Sequence, residues 1–426
     1  MRALKALIAV QLTLIVATGV LTAVRLPFFS PIDEAAHFDY VRIVAEEGRL
    51  PVLEEDEMGL PVLALDQGLD PDARPPPEVE RPGGLGRHSY QAFEPPLYYA
   101  LAAPAFALTG DWSQRVKLVR LLGLAFLLGA TAFVYALARR ALPETHLIAF
   151  SVALTVLMWP GVIVRMVTVS NASLELLVGC ALLYALWRAD EDLDPRWLLI
   201  AGALLGLGLL TKLTLVALAP LLAAVALRHG RRRSSRAALA CLALPLVLLA
   251  PWAIFNLDHY DAITPSALAK EMQEPTVNPT GIDYTVGRFL DRLPRTFDGL
   301  LPQDWAVARL QAPALDFGFE FLKVALFGLP VLLALVDPRR LWSRHAALLL
   351  APWLLGLAMV AYVTLTEDWP IGSPRRLYPE LPALALFTAA SCLWLFRSAR
   401  AAIALAAASS VVLAAAWVDL TSRFLL

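Results

Sequence analysis

Charge is scarce in this sequence. Of 426 residues only 17% are Asp, Glu, Lys or Arg, while 58% are hydrophobic. Soluble domains carry roughly 25% charged residues. The shortage excludes an ordinary water-soluble domain and points to a chain that lives in a bilayer. The net charge of −1 leaves no basic excess, so no nucleic-acid partner is expected. Cysteine is nearly absent: Cys180, Cys241 and Cys392 each sit inside an apolar run, without metal-ligand spacing or a pairing pattern, and read as small buried hydrophobes. There is no glycine-rich loop of the kind that cradles phosphates. There is no heptad array, no low-complexity tract and no internal repeat such as many secondary transporters show.

What is there is a series of apolar runs. A helix needs about 20 such residues to cross a bilayer. Runs near 5–27, 117–138, 145–163, 171–188, 196–210, 212–228, 237–255, 319–336, 346–365, 376–396 and 401–421 make eleven candidate spans. The first is longer than a signal-peptide core of about 7–15 residues and reads as an uncleaved span. A further stretch, "PPLYYALAAPAFALT" at 95–109, is short and holds three prolines. Basic residues collect at Arg139–Arg140, Arg188, Arg196, "RHGRRRSSR" (228–236), "DPRRLWSR" (337–344) and "RSAR" (397–400). Short cytoplasmic loops are rich in Lys and Arg. All these connections fall inside if the N-terminus is cytoplasmic and 95–109 lies in the interface without crossing. The expectation is an all-α integral membrane protein of the plasma (inner) membrane, with about eleven transmembrane helices plus interfacial helices in a first outer loop at 28–116. It divides into a module at 1–255 that includes this loop, a second outer loop at 256–318 and C-terminal helices at 319–426.

The unusual residues gather at the ends expected to face outward. In "PIDEAAHFDY" (31–40), Asp33, His37 and Tyr40 are spaced i, i+4, i+7 and share a helix face, with Glu34 beside it. A carboxylate at an apolar surface can serve as a proton acceptor; an acidic helix start that complements the macrodipole is the structural alternative. "AFEPPLYYAL" (92–101) places Glu94 and Tyr98 at the rigid start of an interfacial helix, its rings at headgroup depth. In "VTVSNASLELLVG" (167–179), Ser170 or Asn171 can cap the next helix, and Glu175 lies a turn inside an apolar span, where an acid is a functional candidate. Lys212, in "LGLLTKLTLVALAP" (207–220), has two readings: reaching to water, or neutralising a lipid phosphate. Arg375 and Arg376, in "WPIGSPRRLYPELP" (369–382), sit on the side where the charge rule disfavours them. Arginine is the better planar donor to phosphate oxygens. A base and several cations at one face are the equipment for transfer from an anionic lipid.

In this order, "DEAAHF", "EPPLYY", "SNASLELL", "LLTK" and "RRLYPELP" resemble the GT-C superfamily of membrane glycosyltransferases. The nearer relatives are the protein O-mannosyltransferases and the lipid A aminoarabinose transferase, and nearest is a bacterial family with a "PDE..H…QPPLYY…GRY..P" pattern. The resemblance implies a GT-C fold and inverting transfer of a sugar from a polyprenyl-phosphate carrier to a hydroxyl of a polysaccharide, lipid or protein, on the extracytoplasmic side, among membrane lipids. It implies Asp33 as the base with Glu34 and His37 beside it, and Lys212 and Arg375 at the carrier phosphate. Asp33, Glu34 and His37 also carry the donor types for a divalent cation such as Mg or Mn. The chain departs from the pattern at Pro374, where relatives have glycine, and at Arg376, where they have tyrosine. Glu94 replaces glutamine or lysine, and Ala172 replaces an aspartate for which Glu175 is the candidate substitute. A lipid-linked-sugar transporter and a catalytically degenerate assembly protein are the rival readings.

Overall fold

The computed structural model describes residues 1–29, 33–53, 55–71, 88–265, 268, 313–339, 343–367 and 377–422. The described chain is helical: α1 (Arg2–Arg25), α2 (Glu34–Glu47), α3 (Leu60–Asp66), a 3-10 turn (Tyr90–Phe93), α4 (Leu97–Ala107), α5 (Trp112–Ala141), α6 (His146–Leu157), α7 (Pro160–Val167), α8 (Ala172–Asp192), α9 (Pro195–Leu209), a second 3-10 turn (Leu213–Leu218), α10 (Ala219–Arg232), α11 (Ser235–Tyr260), α12 (Pro313–Val336), α13 (Arg344–Glu367), α14 (Leu381–Phe396) and α15 (Ala399–Leu420). The one β-type pairing among the described residues is an isolated bridge, Glu57 to His88.

Local chemistry sets the helix limits. Asp111 accepts from Gln114 N (2.7 Å) and starts α5, and Ser234 accepts from Ala237 N (3.2 Å) and starts α11. Arg139 and Arg140 close α5, where cations complement the carbonyl end. Gly48 ends α2 at φ 67, a left-handed position that costs glycine little.

Six helices among the described residues are long and apolar enough to cross a membrane: α1, α5, α8, the 3-10 turn running into α10 (Leu213–Arg232), α11 and α15; counting α6 with α7 makes seven. This is fewer than the eleven runs counted in the sequence, although each of those runs lies on a helix. The run at 145–163 is not a straight span. It breaks between α6 and α7 with a 72° bend. Pro160 has no N–H for the ladder and drives Trp159 out of the helical region, to ψ 133. The carbonyl of Met158 at the break accepts the Trp417 indole N–H instead (2.9 Å). At eleven residues, α4 is about 16 Å long by the usual rise. That is well short of a roughly 30 Å hydrocarbon layer.

One continuous apolar core runs through the bundle. A buried amide is tied into it: Gln11 of α1 donates to the Ser151 carbonyl of α6 (2.9 Å) and to the Ser410 hydroxyl of α15 (3.0 Å), and accepts from the Ser151 hydroxyl (2.9 Å). Where no water can take its place, such a satisfied network fixes helix register. The three cysteines are free and buried, as their apolar settings suggest.

Candidate functional site

The polar residues singled out in the sequence converge on one end of the bundle: the C-terminal end of α1, the N-terminal ends of α5 and α8, and the turn after α9. Burying charge there requires partners, and following those partners residue by residue builds the site.

Asp33 is the residue before α2, with φ 76, a left-handed backbone unusual for aspartate. Its carbonyl accepts the His37 amide (3.0 Å) and its carboxylate accepts the Tyr90 hydroxyl (2.9 Å). The residue is half-buried. His37 is fully buried, its Nδ1 2.7 Å from the Tyr99 hydroxyl. Tyr99 lies flat on Tyr40, ring centroids 3.6 Å apart and planes within 6°. The Tyr40 hydroxyl donates to the Glu94 carbonyl (3.3 Å). Burial, with Tyr260 and Glu94 nearby, holds the Tyr40 hydroxyl well above its usual range, so it remains a donor. The shared face of His37 and Tyr40 is thus a packing face against α4.

Glu34 is not turned to the same face. It is 1% exposed and forms a two-pronged pair with Arg120 of α5, at 2.8 Å (Nε to Oε1) and 2.7 Å (Nη2 to Oε2). Oε1 also accepts the Val169 amide (2.9 Å). The remaining Arg120 donors reach the Leu26 carbonyl (2.7 Å) and the Pro27 carbonyl (3.1 Å) at the end of α1. A buried carboxylate needs a counter-ion, and Glu34 has used its oxygens on one. Among the described residues no group of three His, Cys, Asp or Glu side chains is arranged to hold a metal ion. Asp33, Glu34 and His37, turned to Tyr90, Arg120 and Tyr99 respectively, do not fit a shared divalent cation.

Glu94 belongs to a second polar group. Its carboxylate accepts the Asn171 amide (3.0 Å), which also donates to the Thr211 carbonyl (3.2 Å). Asn171 does stand at the head of α8, but in helical conformation and with no side-chain cap bond. The side chain bridges two distant segments instead, and its Oδ1 is buried without a hydrogen-bond partner. The Leu97 amide bonds the Leu210 carbonyl (2.9 Å), fastening the start of α4 to the same turn. Tyr98 is fully buried, its ring edge-on to Tyr99. Lys212 follows directly after this turn. Its ammonium lies 3.5 Å from Glu175, whose other carboxylate oxygen accepts the Thr214 hydroxyl. Arg375 and Arg376 lie outside the described residues.

Three residues of this site escaped the sequence reading. Arg120 is fully buried in an apolar helix, and a lone arginine there was the available signal. Tyr90 sits beside the Gly/Pro-rich part of the first loop and gave none. Glu380, in the residue before α14, is 1% exposed, with one oxygen lacking a hydrogen-bond partner. It stood inside the quoted "RRLYPELP" and was hidden behind the two arginines.

Comparison with known proteins agrees with this architecture. Residues 93–255, less than half of the chain, match the family model described as dolichyl-phosphate-mannose-protein mannosyltransferase. The match takes in Glu94, Asn171, Glu175 and Lys212 and leaves out Asp33. No curated protein matches the chain by sequence. The fold is similar to the crystal structure of ArnT from Cupriavidus metallidurans bound to undecaprenyl phosphate, with TM-score 0.56 and 16% identity, covering 96% of this chain and 63% of that one. For apo ArnT from the same organism the values are 0.57 and 13%, over 99% and 77%. The Archaeoglobus fulgidus oligosaccharyltransferase in complex with Zn and sulfate is also similar, with TM-score 0.52 and 16% identity, over 95% and 53%. The chain therefore spans a little under two thirds of the undecaprenyl-phosphate-bound ArnT and about half of the oligosaccharyltransferase. The partial family match and the fold are similar to those of GT-C membrane glycosyltransferases, and the apolar helices are those of a multi-pass membrane protein.

Proposed function

We propose that the protein transfers a sugar from a polyprenyl-phosphate carrier to a hydroxyl acceptor on the extracytoplasmic side of the plasma membrane. One observation carries the reading. A half-buried carboxylate, Asp33, bonded to Tyr90, and a lysine, Lys212, next to the turn that Asn171 ties to Glu94, come from distant parts of the chain and stand at the same end of the bundle. Support for a lipid-phosphate carrier comes from the similar ArnT fold seen with undecaprenyl phosphate.

The reaction is a single displacement. Asp33 accepts the proton of the acceptor hydroxyl as its oxygen attacks the anomeric carbon. The new carbon–oxygen bond forms as the bond to the phosphate oxygen breaks, and the configuration inverts. The electron pair leaves with the phosphate, and Lys212, with Arg375, meets the growing negative charge, where fixed cations act most strongly. Tyr90 orients the base. His37, through Tyr99 and Tyr40, holds the helix that carries it.

The test is transfer of radiolabelled sugar from polyprenyl-phosphate donors by purified protein. Asp33→Asn keeps the shape and removes the base, so the rate is expected to fall by about 100-fold or more. A folded Asp33→Asn protein that transfers at the wild-type rate removes the base assignment. Carrier binding with no transfer by the wild-type protein returns the transporter reading.

A further inference from the structure

Lys212 does not stand ready for an anion. Its ammonium is 3.5 Å from a Glu175 carboxylate oxygen that makes no hydrogen bond. The separation is longer than the 2.7–2.9 Å or so of a tight charge-assisted bond, so the two are held as an ion pair. The surroundings keep Glu175 in place. It is 1% exposed on α8, and its other oxygen accepts the Thr214 hydroxyl. The Lys212 side chain, 12% exposed, is the member of the group that reaches outward.

We infer that Glu175 is a built-in competitor for Lys212: the carrier phosphate must draw the ammonium away from Glu175, or share it against the repulsion of a second anion. This inference rests on the proposal that Lys212 meets the carrier phosphate. It changes the part played by Glu175, which opposes the phosphate rather than binding it. The chemistry of transfer gives the device a purpose. The donor is a phosphodiester with one negative charge. The spent carrier is a monoester, which can carry two. Lys212 alone would hold product more tightly than substrate, whereas a fixed carboxylate beside it weakens both and penalises the more highly charged product more. Glu175 thereby favours release of the spent carrier.

The experiment is binding of undecaprenyl phosphate to the full-length protein in detergent, with melting temperature as the folding control. Glu175→Gln keeps a polar partner for Thr214 and removes the charge. Glu175→Met removes it with an apolar side chain of similar size, in case the amide folds poorly. Either variant is expected to tighten binding by about tenfold, or about 1.4 kcal/mol. Lys212→Gln is expected to weaken it, and Glu175→Gln added to Lys212→Gln is expected to tighten it less than Glu175→Gln does alone. If Lys212→Gln weakens binding while both Glu175 variants leave it unchanged or weaker, the competitor role falls and Lys212 keeps its place at the phosphate. If Lys212→Gln has no effect, both fall together.

Discussion

Arg120→Met is the perturbation that best tests how the site is held. In the wild-type protein Arg120 is fully buried and distributes its donors over both Glu34 oxygens, at 2.8 and 2.7 Å, and over the Leu26 and Pro27 carbonyls, at 2.7 and 3.1 Å. Methionine fills much of the same space and offers no donor. Glu34 is then a buried carboxylate with the Val169 amide left, and two carbonyls at the end of α1 lose the Arg120 donors. Breaking a buried pair from one side costs about 3–5 kcal/mol, most of it for the charge left uncompensated. Glu34→Gln alone leaves the guanidinium uncompensated and is expected to cost a similar amount. The double variant removes both charges, so its loss should be smaller than the sum of the singles by about 2–3 kcal/mol, the upper part of the roughly 0.5–3 kcal/mol seen for residues that share a network. The assay is denaturant or thermal unfolding of the three variants in one detergent. Additivity within about 0.5 kcal/mol, as for independent sites, would refute the claim that the pair acts as a unit. Because Glu34 adjoins Asp33, transfer should fall in Arg120→Lys as well, since an ammonium cannot reproduce the fork and both carbonyl bonds.

The other predictions concern single contacts. Gly123 in α5 faces α7 so closely that a Cβ there would meet the Met166 carbonyl oxygen at 2.5 Å; Gly123→Ala is expected to cost about 1–3 kcal/mol by overpacking, and an unchanged melting temperature would contradict this contact. In the segment after α2, burial alone would raise the Asp56 carboxyl, but paired bonds from Arg49 (2.8 and 2.6 Å) and the Val52 amide (2.7 Å) outweigh it and hold the group below its usual 3.8. A depressed carboxylate stabilises above its unfolded value and loses that contribution as pH falls through the folded one. Exchange protection of the Val52 amide should therefore persist to pH 4 or so and fade below about 3.8; loss already at pH 5 to 6, or none in Asp56→Ala, would contradict the assignment.

Much of the architecture was legible because a bilayer makes simple demands. Apolar runs such as 5–27 and 401–421 became α1 and α15 nearly as counted, since every backbone group in a spanning segment must be paired within a helix. Composition could not show where a run bends. The α6–α7 break follows from Pro160, but the fold tolerates it only because Trp417, more than 250 residues later, supplies a donor to Met158. The site was legible in part for a related reason. Charged residues at the mouth of an apolar bundle are rare enough to mark it, and Asp33, Glu94, Glu175 and Lys212 lie at one end. Their roles were less legible, because a charge in such a place either works or is cancelled, and only its partner decides which. "DE" reads as two equal acids. In three dimensions Glu34 faces Arg120, which fastens the end of α1 ahead of the pair, while Asp33 faces Tyr90 and stays half-buried. Glu175 and Lys212 read as an acid and a base in separate motifs, and they stand 3.5 Å apart as an ion pair. In this protein the partner is what separates the two acids: Glu34 is locked into a buried ion pair, and Asp33 lies half-buried beside a hydroxyl.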